Sequence, residues 1–398
     1  MHIALYSPAW PASAHSNGII TYVAHLREEL RRQGHRVSVF TGVVTGPNTD
    51  EDVHVVEYKQ PLAARAWRKL LGVLSGRPVA AAGWGHYLGR KILEVHRSNR
   101  VDVVEMEESF GWCADVQTVT SLPLVVKLHG PAFLDLLDGA REEAGLQKIA
   151  AEGEALSKMR FITSPSSNTL QETLAHYGLR PEIAETVPNP MVAAAPADLW
   201  SLDRCDRRTI LFVGRFDLRK GGDIVLRAFR KLLDSDPMLK LVFVGPDRGI
   251  PLDGKVLDFN AWVDALFPAD QRARIQYLGK QSPAEIPALR QRAMVTLVAS
   301  RWDNQPNTVL EALMQGCPVV AIDTGGVGEI IEHGQSGLLA KPDDLDDFCR
   351  QIAGMLANPE AAVQMGQRGR EVTLARHDIA KLAGDTLSVY RRAMQPAA

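Results

Sequence analysis

Short apolar runs bounded by glycine, proline or asparagine recur along this sequence, and longer segments of helical period sit between them. A strand followed by a covering helix returns to a parallel neighbour, and parallel sheets are buried on both faces, so the alternation predicts doubly wound α/β domains. The strand candidates of the first half are 2–7, 36–41, 53–58, 101–106, 124–128, 161–163 and 184–187. Residues 19–33 form the clearest early helix, with Leu26 and Leu30 on one face and Gly34 as its stop. A proline-rich, weakly patterned stretch at 188–208 breaks the rhythm, which resumes with candidates at 209–214, 241–245, 275–278, 295–299, 319–322 and 337–339. The expectation is two Rossmann-like domains, 1–195 and 205–375, and a last helix over 376–398 that crosses back to the first domain.

Composition removes several classes. With 398 residues and a formal net charge of −2, the chain has no global field to gather nucleic acid, so no nucleic-acid partner is expected. At 45% hydrophobic and 23% charged it is an ordinary globular composition. Cys113, Cys205, Cys317 and Cys349 are far apart and in no metal-ligand spacing, which reads as reduced packing thiols. The first ten residues lack a basic n-region, and no run approaches a membrane span of roughly 20 apolar residues, so a cytoplasmic protein is expected. One local patch stands out. From Lys59 to Arg100 nine basic residues face the single acid Glu94, with Trp67, Leu70, Leu71 and Trp84 interspersed. That reads either as a solvated face or as peripheral contact with an anionic membrane surface on the acceptor side.

Open α/β sheets bind ligands at the carboxyl ends of their strands, where four loops carry chemistry. Ser16-Asn17-Gly18 precedes the first long helix, and Gly18 permits close backbone approach. Gly214-Arg215-Phe216-Asp217-Leu218-Arg219-Lys220-Gly221-Gly222 places Arg215 and Lys220 at a helix N-terminus, a combination suited to a diphosphate. Residues 300–311 run from a strand through Asp303 into a helix that opens after Pro306. There the amides of Asn307, Thr308 and Val309 would be left to meet an anion, with Glu311 one turn in. Asp323-Thr324-Gly325-Gly326-Val327-Gly328-Glu329 is a further glycine-rich strand end, and Leu128-His129-Gly130 would bring a histidine to the opposite wall, as ligand contact or structural cap.

Together GRFDLRKGGDIVLRAF and SRWDNQPNTVLEALMQGCPVVAIDTGGVGEIIEHGQSGLL, with SNGIITYVAHLREELRRQGHRVSVF and KLHG, resemble the retaining glycosyltransferases of family four. The resemblance covers nearly the whole chain and implies the GT-B architecture, with an acceptor-binding first domain and a nucleotide-sugar-binding second one. It further implies that Arg215 and Lys220 clasp the donor diphosphate, that Glu311 takes the ribose hydroxyls, and that Asp303 and His129 lie at the donor sugar. Gly18 would meet phosphate or acceptor, and Gly214, Asn307, Thr308 and Val309 complete the donor site. In three places the chain departs from the pattern: Asp303 replaces the usual Glu, Arg219 stands where an acid often precedes Lys-Gly, and Asn17 replaces an early glycine.

Cleaving a sugar-diphosphate bond builds negative charge on the leaving phosphate, and fixed cations there lower the barrier. No Asp-x-Asp triplet lies in a donor loop, so neither a metal nor another cofactor is expected beyond the nucleotide-sugar co-substrate. The function expected is transfer of a sugar, with retention, from a UDP-sugar rather than GDP-mannose to a hydroxyl acceptor, as in polysaccharide biosynthesis. A sugar-nucleotide epimerase of the same architecture and a non-catalytic nucleotide-sugar binder are the rivals. A dinucleotide dehydrogenase fails because the first strand-to-helix turn has no G-x-G-x-x-G.

Overall fold

The computed structural model describes residues 1–15, 17–58, 83–134 and 143–396. Ser16 and the larger part of the basic 59–100 stretch lie outside the described residues. The first sheet is built from β1 (His2–Tyr6), β2 (Arg36–Thr41), β3 (Val53–Val55), β4 (Val103–Glu107), β5 (Leu124–Lys127), β6 (Phe161–Ser164) and β7 (Ile183–Thr186). Its order is β3-β2-β1-β4-β5-β6-β7 and every pairing is parallel. Successive side chains of β1 serve opposite faces: Ile3 and Leu5 join the core under the helix Gly18–Arg32, while Ala4 and Tyr6 join the core under Trp84–Ser98 and Trp112–Thr120.

The second sheet contains β8 (Asp206–Val213), β9 (Lys240–Val244), β12 (Ile275–Tyr277), β13 (Ala293–Val298), β14 (Val319–Ile322) and β15 (Leu338–Ala340) in the order β12-β9-β8-β13-β14-β15, again all parallel. Between β9 and β12 the chain makes an antiparallel hairpin, β10 (Ile250–Leu252) with β11 (Lys255–Leu257), absent from the sequence expectation. Asp253 and Gly254 both have positive φ, 49° and 78°, the geometry of the two-residue hairpin turn that Asp-Gly favours. The helix Gly222–Leu232 buries Val225, Leu226, Phe229 and Leu232 against this sheet.

In both sheets the strand order reverses beside the first strand, between β1 and β4 and between β8 and β13. Loops leaving the carboxyl ends at such reversals diverge to opposite faces and leave a crevice. The chain then crosses the molecule once more. Pro359–Arg376 packs on the second domain, where Gly369 lies against Leu313. At His377 the path turns, with the ring Nδ1 within 3.0 Å of Asn189 O and the His377 carbonyl accepting from Met191 N at 3.1 Å. Ile379–Ala393 follows on the first sheet, burying Ala383, Leu387, Val389 and Tyr390, and Arg392 pairs with Glu185 beside β7. All four cysteines are thiols, and among the described residues no helix is long and apolar enough to cross a membrane.

Candidate active site

Three loops of the second sheet, following β8, β13 and β14, are stitched together by backbone and side-chain bonds. Arg301 N donates to Arg219 O at 2.8 Å, Thr324 Oγ1 to Ser300 O at 2.8 Å, and Gly326 N to Asp303 O at 3.0 Å. Arg301 also holds Asp223 through both guanidinium nitrogens, at 2.8 and 2.7 Å, and donates to Leu218 O at 2.6 Å. The contact is so close that a Cβ on Gly325, at φ +54°, would stand 2.0 Å from Asp303 O. These loops are therefore one rigid platform rather than independent turns.

On that platform Lys220 and Arg219 converge on Asp303, whereas Arg215 pairs with Asp217. Lys220 Nζ donates to Asp303 Oδ2, Arg219 stands 3.8 Å from Asp303 Oδ1, and Ser300 Oγ lies 3.4 Å from Asp303 Oδ2. Burial alone would raise the Asp303 carboxyl, but Lys220 and then Arg219 outweigh it and hold it below the ordinary carboxylate range. Asp303 is thus an anion at neutral pH with a cation already against it. Asp217 organises the loop by accepting from Lys220 N at 2.7 Å and pairing with Arg215 Nε at 2.6 Å, which leaves the Arg215 side chain 39% exposed at the crevice.

The helix Asn307–Met314 carries Glu311, whose carboxylate is 40% exposed and pairs with the buried Arg290 at 2.8 Å. Val309 must be withdrawn from the donor-contacting set. Its side chain is fully buried in the second core and its N–H is spent on Pro306 O at 3.0 Å, so only the amides of Asn307 and Thr308 stand at the open end. Gly214 likewise commits its N–H to Val244 O at 2.8 Å, and its space is filled by the Phe212 ring. Across the crevice the helix Gly18–Arg32 begins opposite: a Cβ on Gly18 would lie 3.5 Å from Asn307 Nδ2. Two helix N-termini therefore meet at one point, where their partial positive charges favour an anion.

His129 comes from the end of β5 on the first domain. Its N–H and that of Gly130 donate to Glu108 at 2.9 and 2.7 Å, and its ring lies 5.2 Å from the Tyr22 ring. Burial, and then the Lys127 charge, push the imidazole down to about 3, so it is neutral at ordinary pH. The second domain reaches across to this wall. Asn304 Nδ2 donates to Leu128 O at 3.1 Å and Asn304 Oδ1 accepts from Ser166 Oγ at 2.6 Å. Gln305 bonds Asn189 N at 2.7 Å and Pro165 O at 3.2 Å, and Glu329 accepts from Ser167 N and Asn168 N at 2.9 and 2.7 Å. Sequence reasoning missed Arg290, Arg301, Asn304, Gln305 and Glu329 as supports, because each is defined by a partner distant in sequence.

The fold and this platform match known proteins. Residues 16–193 match the model described as Glycosyltransferase Family 4, and residues 201–372 match Glycosyl transferases group 1. This chain belongs to the family-four, group 1 glycosyltransferases. The glycosyltransferase is 25% identical over 385 residues to D-inositol 3-phosphate glycosyltransferase of Rhodococcus jostii (strain RHA1), covering 88% of this chain and 79% of the relative. Sucrose-phosphate synthase from Thermosynechococcus elongatus superposes with a TM-score of 0.74 at 18% identity, over 98% of each chain. Anabaena HepE, solved in complex with UDP-glucose, gives 0.68 at 19% identity, over 98% of this glycosyltransferase and 99% of that protein. Its two facing parallel-sheet domains are the GT-B architecture.

Proposed function

We propose that this glycosyltransferase moves a sugar from a UDP-sugar to a hydroxyl acceptor, with retention at the anomeric carbon and without a metal ion. The observation that carries the reading is the meeting of Lys220 and Arg219 at Asp303, with Arg215 held by Asp217 on the same loop and the two helix N-termini facing each other at Gly18 and Asn307. A diphosphate fits this place, since guanidinium, ammonium and helix amides all donate to phosphate oxygens. The cations neutralise the charge that a divalent ion would otherwise meet. A uridine donor is supported by the fold shared with a protein solved holding UDP-glucose. Glu311, exposed beside the second domain's helix N-terminus, accepts from ribose hydroxyls, with Arg290 keeping its carboxylate in place.

In the reaction the bond from the anomeric carbon to the phosphate oxygen breaks and its electron pair goes to that oxygen, where Arg215 and Lys220 receive the charge. The acceptor oxygen bonds the anomeric carbon from the same face and its proton passes to the departing phosphate. Asp303 stabilises positive charge on the sugar. With Lys220 and Ser300 already on one of its oxygens it is a poor nucleophile, which favours this route over a covalent sugar intermediate. Neutral His129 hydrogen-bonds the donor sugar from the first-domain wall. Acceptors bind on that first domain, where the basic 59–100 stretch is the candidate for contact with an anionic membrane face.

A thermal-shift screen against UDP, GDP and ADP sugars in excess EDTA tests the donor. At 100 times its dissociation constant the right one stabilises by about 2.7 kcal/mol. A shift with UDP-sugars that survives the chelator is expected. Stabilisation only by another nucleotide, or only with added Mg2+ or Mn2+, overturns the corresponding part of the reading.

A further inference from the structure

Beneath His129 the first sheet carries an ionic cluster that hydrophobic packing does not explain. Glu105 on β4 and Lys127 on β5 are both buried between the sheet and the returning helix Ile379–Ala393. Lys127 Nζ donates to Val187 O at 2.7 Å and sits 4.7 Å above the centre of the Tyr22 ring. Tyr22, itself buried, donates its hydroxyl to Glu105 Oε1 at 2.8 Å. Tyr390 of the returning helix, fully buried, closes the other side of this small space with Thr386 and Val389. Taking such charges out of water costs more than apolar packing would, so stability is a poor reason for their presence.

What the cluster does is visible in where Tyr22 points. Its ring is held on one side by the Lys127 ammonium and anchored at its tip by Glu105, and it meets the His129 ring at 5.2 Å and 62°. It also lies one helical turn beyond Gly18, on the same side of the helix whose N-terminus faces Asn307. We propose that Tyr22 is a positioning residue that fixes the plane of the His129 imidazole at the crevice, anchored at its hydroxyl by Glu105 and braced on its face by Lys127. The inference rests on the sugar-facing role given to His129 above. The Lys127 charge that braces Tyr22 also adds to burial in opposing protonation of His129.

Tyr22→Phe keeps the ring and removes its anchor. With UDP-sugar turnover assayed at saturating acceptor, kcat is expected to fall about tenfold, donor KM to stay within twofold, and the His129 ring resonances to move in 15N-histidine spectra. Lys127→Met removes the ammonium from the face of the Tyr22 ring and is expected to move the same resonances, which keeps the test alive if Tyr22→Phe does not fold. Leu387→Ala opens the apolar core beneath the same sheet without removing the Tyr22–Glu105 bond, and is expected to lower the melting temperature with kcat within twofold at a permissive temperature. The inference is overturned by Tyr22→Phe with near-normal kcat, by a kcat loss with unmoved His129 resonances, or by an equal loss in Leu387→Ala. His129→Ala with under twofold effect overturns it too, and Lys220→Ala in the same assay then shows whether the donor reading stands on its own.

Discussion

Glu152 shows how much a single side chain can disclose. Ala132 N and the Tyr177 hydroxyl both donate to its Oε1, each at 2.9 Å, while Oε2 is buried without a hydrogen-bond partner among the described residues. Burial, and then the neighbouring Glu108, push this carboxyl up to about 8. The native state therefore holds a proton that the unfolded chain releases near the ordinary value of 4.5, and this group's contribution to stability declines as pH rises from about 4.5 to 8. Glu152→Gln, which mimics the protonated form, should leave the melting temperature at pH 5 nearly unchanged and flatten its decline toward pH 8; an equally steep decline in the variant contradicts this. At Asp303 the opposite logic holds, because Lys220 and Arg219 keep the carboxylate charged. Asp303→Asn should retain the fold and lower turnover by roughly a hundredfold, an effect of about 3 kcal/mol on the barrier. Near-normal turnover with a slightly lower melting temperature would reduce Asp303 to a helix-end charge.

At the scale of elements, the inner strands of both sheets were legible because they are runs of apolar residues buried on two faces, as in Val37, Val39 and Phe40 of β2 or Val319 to Ile322 of β14. The hairpin Ile250–Leu257 was not, since its strands have three residues each, one of them Pro251 and another the exposed Val256. Its Asp-Gly turn was the signal available in the sequence. The chemistry-bearing loops could be read as loops, and Arg215, Lys220 and Asp303 as their polar members. Their mutual contact could not be read, because it depends on β8 and β13 lying side by side and on Gly325 letting a third loop press on Asp303. Gly325→Ala is a direct check on that platform. The added methyl meets Asp303 O and the backbone has positive φ, so turnover should drop at least tenfold without contact between residue 325 and any substrate. Wild-type turnover in this variant would show that Asp303 tolerates displacement.

Across the whole molecule, among the described residues, hydrogen bonds from the second domain hold the loops of the first. Glu329 caps the helix Ser167–Tyr177 of the opposite domain, and Asn304 and Gln305 bind its loops. An exposed cap of this kind is worth about 1 kcal/mol, so Glu329→Ala should shift the domains toward a more open arrangement without unfolding either. Small-angle scattering with and without UDP should then show a larger radius of gyration in the ligand-free variant and a smaller difference once ligand is bound; identical free-state curves would deny the latch a role. These contacts bring Leu128 and His129 of the first-domain wall against Asn304, the neighbour of Asp303, and on the proposed function a diphosphate departs between the domains without help from a metal. The most direct test is NMR of UDP-glucose turnover in excess EDTA, with a hydroxyl acceptor present, for the wild type and Lys220→Ala. Release of UDP, a transferred sugar that keeps the donor's α configuration, and a rate about a hundredfold lower in Lys220→Ala are expected. A β product, strict dependence on an added divalent ion, or an undiminished rate in Lys220→Ala would contradict the proposed function.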